Sequence, residues 1–199
     1  WMTAEGADPN KRLLYLHGGG YILGSVRGYQ GLASYISSAT GASVLLIDYR
    51  LAPEDKFPAC IEDVKTAFNW MLENGPDGAT PADKTYIAGD SAGGGLTLAS
   101  TLAMRDEGLT LPDGVIALSP WAELEPTSTS FEENSETEFI TEHYWGYAKV
   151  NDTVTNEYEV THPRWEKYEV ESADIKVDFE LVYGKYFEFL NHIKPSSIM

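Results

Sequence analysis

One stretch of this sequence is built for nucleophilic chemistry: Gly89-Asp90-Ser91-Ala92-Gly93, followed by Gly94 and Gly95. It fits the G-x-S-x-G pattern, with a strand-like run before it (Thr85-Tyr86-Ile87-Ala88) and helix-compatible residues after it. A sharp strand-to-helix turn strains the backbone at the serine and exposes its hydroxyl. The flanking positions must then be small, because neighbouring backbones come close. The helix N-terminus also sets a positive partial charge beside Ser91, which favours a developing oxyanion. A glycine-rich turn with an incidental serine is the plainer reading, and the strand and helix on either side argue against it.

The second stretch is His17-Gly18-Gly19-Gly20. Acyl transfer needs donors where negative charge develops on the carbonyl oxygen. Glycines let backbone N–H groups face inward with no side chain in the way. Gly18 and Gly19 are expected to supply two such donors and the N–H of Ala92 a third. His17 opens this donor loop and precedes Ser91, so it is read as shaping the loop and not as the catalytic base.

These motifs need a scaffold, and the chain supplies one. Leu13–Leu16, Ser43–Tyr49, Thr85–Ala88 and Val115–Leu118 are short apolar runs expected to be buried strands. Between them, residues 29–39 are helix-compatible up to Gly41. Ile61, Val64, Phe68, Met71 and Leu72 repeat at helical spacing before the Asn74-Gly75-Pro76 stop. A third helix should run from Ala92 to Glu107. Strands alternating with helices predict an α/β fold, with a mostly parallel sheet covered by helices on both faces.

The remaining chain has another character. Glu123 to Glu142 holds seven carboxylates and no Lys or Arg, which reads as a solvated, lid-like segment. Ile175, Val177, Phe179 and Leu181 alternate with Lys176, Asp178 and Glu180 as in a half-exposed strand, and 187–193 is compatible with a final helix. Neither an internal repeat nor a clear second domain is visible. The single cysteine, Cys60, rules out an intramolecular disulfide and is expected on the core face of a helix. The net charge of −17 disfavours nucleic acid, anionic lipid and anionic substrates. No apolar run approaches the ~18 residues of a membrane span, and no signal peptide is legible, so a cytoplasmic location is the expectation. Trp1 stands ahead of Met2, which suggests a start inside a longer chain.

Taken together, the motifs resemble the hormone-sensitive-lipase-like family, the alpha/beta hydrolase fold-3 carboxylesterases. The matching pieces are His17-Gly18-Gly19-Gly20-Tyr21, Asp48-Tyr49-Arg50-Leu51-Ala52-Pro53-Glu54, Phe57-Pro58-Ala59, Gly89–Gly94 and Ser119-Pro120-Trp121. They fall in the family's order between about residues 11 and 121. The resemblance implies a single α/β-hydrolase domain over 1–199, with a well-matched core (11–121), an acidic lid-like segment (122–150) and a divergent C-terminal part (151–199). It implies a serine esterase acting on small neutral acyl esters, with no cofactor and no metal, and it allows a homodimer. For Asp48 to Glu54 we read polar groups bracing loops beneath the site.

The pattern breaks in two places. The family's cap-forming helices before the first matched strand are missing, and so is part of its C-terminal third. A serine esterase also needs a base and an acid that orients it, and neither family motif is present after the last matched strand. His143, His162 and His192 follow Ser91. The stretch Tyr183–Phe187 stands where the family's histidine turn would fall, which makes the nearby His192 the candidate base. Asp174 and Asp178 precede it in the family's chain order, yet the acid is left unassigned. Two alternatives follow: a catalytically impaired small-molecule binding protein on the same fold, or a truncated chain of an esterase.

Overall fold

The computed structural model describes residues 1–122 and the isolated Thr129. Its central feature is a four-stranded parallel sheet in the order β2-β1-β5-β6, formed by β1 (Asp8–Leu16), β2 (Ala42–Leu46), β5 (Lys84–Asp90) and β6 (Gly114–Leu118). The helices are α1 (Val26–Thr40), α2 (Ala59–Glu73) and α3 (Ala92–Asp106). A two-residue hairpin, β3 (Asn74–Gly75) with β4 (Gly78–Ala79), follows α2.

Side chains alternate across a strand, and β1 uses both faces. Leu14 and Leu16 point into a core with Leu45, Ile87 and the apolar faces of α2 and α3. Leu13 and Tyr15 point the other way, into a second core with Val44, Leu46, Ala88 and α1. The sheet is therefore helix-covered on both sides, as the continuous apolar runs predict. Cys60 lies in the first core, on α2. On β6, the last described strand, Val115, Ile116 and Leu118 are exposed, unlike the buried strand expected from their sequence.

Local signals explain most boundaries. Ser25 caps α1 by accepting from the Gly28 N–H, and Gly41 ends it in the left-handed region at φ 65°. The second strand stops at Leu46, short of the expected Tyr49, and beyond it the Asp48 side chain accepts from the N–H of Val26 at the start of α1. Asn74-Gly75-Pro76 does stop α2, and the chain then turns into the small hairpin, whose two-residue strands are too short to show a pattern in the sequence. Met2 also pairs antiparallel with Val44, giving β2 a neighbour that the sequence did not announce.

Arg12 fastens the start of the sheet. Its side chain is fully buried. Nε donates to the Pro9 carbonyl (2.8 Å), Nη1 to Met71 and Leu72 (2.7 and 3.3 Å), and Nη2 to the Thr80 carbonyl and hydroxyl (2.8 and 2.9 Å). Met71 and Leu72 lie in the last turn of α2, where carbonyls lack helical partners and a cation is favoured. Burial pushes the Arg12 guanidinium below its ordinary range, while Glu73, Asp83 and Asp8 pull it back up.

Candidate functional site

The turn between β5 and α3 is the sharp corner that the sequence predicts. Ser91 sits at φ 53°, ψ −120°, a strained conformation for a residue with a side chain. Its backbone is held from both sides: the N–H donates to the Leu118 carbonyl (3.0 Å), and the carbonyl accepts from Gly95 (3.0 Å) and Trp121 (2.8 Å). The side chain is left over. Ser91 is partly exposed, and its hydroxyl has no hydrogen-bond partner among the described residues.

The two glycines of the pentapeptide are required by close approach. A Cβ on Gly93 would run into the carbonyl oxygens of Leu16 and His17, and one on Gly89 into Gly93 and Leu16. Backbone therefore meets backbone where the end of β1 crosses the start of α3. That contact brings the His17–Gly20 loop against the corner bearing Ser91. Gly94 and Gly95 are kept small by other neighbours: a Cβ on Gly94 would meet Pro120 and the Gly89 carbonyl, and one on Gly95 the Trp121 carbonyl and the Tyr21 hydroxyl.

The loop is shaped by His17, as its position suggested. The ring is buried, stacks on Tyr49 with centroids 4.3 Å apart, and places Nδ1 2.9 Å from the Gly18 carbonyl. The Tyr49 hydroxyl in turn donates to the His17 carbonyl at 2.6 Å. His17 Nε2 is buried with no partner among the described residues. Gly19 adopts φ 129°, and its carbonyl accepts from both Ile22 and Leu23. Tyr21, also at positive φ, is buried against Trp121, and its carbonyl accepts from Ala52.

The three expected oxyanion donors fare differently. The amides of Gly19 and Ala92 donate to no group among the described residues. Ala92 is the first residue of α3, where an amide has no helical acceptor. Gly18 is a correction. Its amide donates to the Tyr29 hydroxyl at 3.0 Å, so it is engaged with α1. Sequence reasoning missed this because nothing in residues 29–39 marks Tyr29 apart from the other residues of its helix.

Asp48 to Glu54 braces the loops, as read from the sequence. Arg50 forms a two-pronged ion pair with Asp63 of α2 at 2.8–3.0 Å and also donates to Ala59. His192, the candidate base, lies outside the described residues, as do His143, His162, Asp174 and Asp178. A groove of about 330 Å³ beside β2 and α2, lined by Leu45, Ile47, Ala67 and Trp70 among others, shares no residue with the Ser91 corner. Among the described residues, no cluster of metal-ligating side chains occurs, and no helix is long and apolar enough to cross a membrane.

Comparison with known proteins identifies the fold family. The family described as alpha/beta hydrolase fold matches residues 13–189. An acetyl-hydrolase of Streptomyces hygroscopicus is 44% identical over 126 residues, which is 61% of this chain and 41% of that protein. An esterase from the bacterial hormone-sensitive lipase family is 46% identical with a TM-score of 0.60, over 67% of this chain and 43% of that one. A hyperthermophilic esterase of the archaeon Pyrobaculum calidifontis is 33% identical with a TM-score of 0.64, over 71% and 47% respectively. The chain belongs to the hormone-sensitive-lipase-like group of the alpha/beta hydrolase fold family. It spans less than half the length of each of these relatives.

Proposed function

We propose that the chain carries the nucleophile and oxyanion donors of a carboxylic ester hydrolase acting on small neutral acyl esters. The observation that carries this reading is the Ser91 corner: a strained serine whose backbone is fully bonded and whose hydroxyl is not. The relatives named as an acetyl-hydrolase and as an esterase favour the reaction, and the strongly acidic composition disfavours anionic substrates.

In this reading the Ser91 oxygen attacks the acyl carbonyl while its proton passes to an imidazole, for which His192 is our candidate. The carbonyl oxygen becomes an oxyanion held by the Gly19 and Ala92 amides. Each such donor is typically worth about 10²–10³ in rate. The imidazolium returns the proton to the departing alcohol, leaving an acyl-serine. Water then attacks the acyl carbon and gives its proton to the same imidazole, and the imidazolium protonates the departing Ser91 oxygen, releasing the acid and the free serine. Hydrolysis of p-nitrophenyl acetate is the test. We expect turnover that Ser91→Ala abolishes, and turnover that survives this substitution rejects the assignment.

A second reading rests on a specific observation: the family's His motif is absent around Tyr183–Phe187. The fold would then bind a small ester-like ligand without turning it over. In that case wild-type protein and Ser91→Ala show the same negligible rate.

A further inference from the structure

Asp90 has no part in the chemistry described so far, yet it is the hub of a knot that joins three elements to the oxyanion loop. Tyr15 of β1 donates to Oδ1 at 2.9 Å, and Tyr29 of α1 donates to Oδ2 at 2.9 Å. The Tyr29 hydroxyl then accepts from the Gly18 N–H at 3.0 Å. The rings of Tyr15 and Tyr29 lie 6.0 Å apart, and that of His17 lies 5.7 Å from Tyr29.

The direction of these bonds matters. A tyrosine hydroxyl has one proton. Once that proton points at Asp90, the oxygen can meet the Gly18 amide only as an acceptor. A carboxylate serves both tyrosines because both of its oxygens accept. Burial first, and then the neighbouring carboxylate, raise both tyrosines above the ordinary phenol range, so both remain protonated donors under assay conditions. The loop needs such an anchor. Gly18 and Gly19 have no side chains to pack, and Gly19 sits at a torsion only glycine adopts readily.

We propose that Tyr29, oriented by Asp90, is a positioning residue that fixes the Gly18 amide and thereby aims the neighbouring Gly19 amide at the developing oxyanion. This rests on the esterase reading, and its effect should fall on the transition state and not on ground-state binding. A donor displaced but not deleted should cost less than a deleted one, on the order of 10-fold in kcat.

The experiment compares the full 199-residue chain with Tyr29→Phe, Asp90→Asn, Tyr15→Phe and Ser91→Ala. It measures p-nitrophenyl acetate kinetics and inhibition by a short-chain trifluoromethyl ketone, which forms a tetrahedral oxyanion on an activated serine. For Tyr29→Phe we expect kcat to fall about 10-fold or more, KM to stay within about 3-fold, and the ketone to weaken by the factor lost in kcat. Asp90→Asn should move the same way, because only one side-chain oxygen is left for two tyrosine donors and the charge that holds the Tyr29 hydroxyl in place is gone. Tyr15→Phe, which does not touch Gly18, should lose less than either.

Folded Tyr29→Phe with unchanged kcat and ketone affinity overturns the proposal, as does an equal loss in Tyr15→Phe. Should Tyr29→Phe fail to fold, Asp90→Asn retains both rings and both hydroxyls and decides by the same two readings. Turnover that survives Ser91→Ala removes the esterase reading, and this inference with it. Loss of turnover in Ser91→Ala beside normal Tyr29→Phe and Asp90→Asn removes only this inference.

Discussion

The two ends of strand β1 treat polar groups in opposite ways. At its start, Arg12 is buried and all five of its N–H donors find acceptors in Pro9, Met71, Leu72 and Thr80. At its finish, His17 Nε2, the Ser91 hydroxyl and the amides of Gly19 and Ala92 have no partners among the described residues. A buried polar group left unsatisfied costs about 1–3 kcal/mol. One end of the sheet is thus optimised for stability. The other carries strain and open donors together, the arrangement expected where a ligand supplies the missing bonds.

The sharpest way to break this contrast is Gly93→Ala. The added methyl would collide with the Leu16 and His17 carbonyls, which are backbone and cannot swing away. We expect kcat/KM on p-nitrophenyl acetate to fall at least about 100-fold, the scale of losing an oxyanion donor, or the folded protein to be lost. A folded variant within a few-fold of wild type would mean that the close crossing of β1 and α3 is not required. Arg12→Met probes the opposite end. It strips several buried carbonyls of a charged donor, so unfolding should become easier by about 3 kcal/mol in urea, while kcat of the folded fraction holds. If Arg12→Met lowered kcat as strongly as stability, the two ends would not be separable.

Smaller effects refine the picture. Arg50 is half-exposed in its pair with Asp63, so Arg50→Ala should cost no more than about 1 kcal/mol by the same measurement. Asp113 accepts from Lys84 and from the Thr85 N–H, and these bonds, Lys84 first, hold its carboxyl below the ordinary value of 3.8. A depressed folded-state pKa adds stability above that value and loses it as pH falls through the depressed one. Asp113→Asn should therefore melt slightly below wild type at pH 7, with the gap narrowing as the pH falls below the ordinary carboxylate range. A gap that persists there would assign the effect to packing.

What the sequence disclosed was local. The runs at Leu13–Leu16, Thr85–Ala88 and Val115–Leu118, the helix repeat from Ile61 to Leu72, and the corner at Ser91 each declare themselves within a few residues, and each forms where it was read. The interactions that organise the two ends of β1 are not local. Arg12 reaches carbonyls of residues 71, 72 and 80, Tyr29 reaches Asp90, and Met2 reaches Val44. No periodicity encodes such pairings, because each depends on how helices land on the sheet. Gly18 shows the consequence. Its type and spacing suit an oxyanion donor, and only the arrival of α1 reveals that its amide is already engaged.

The central claim is that Ser91 is an activated nucleophile, and covalent labelling reads it most directly. The full chain, treated with a fluorophosphonate and digested for peptide mass mapping, should carry a stoichiometric adduct on Ser91 and on no other serine. An unlabelled Ser91 in folded protein, or an adduct that forms equally well elsewhere in Ser91→Ala, would contradict it.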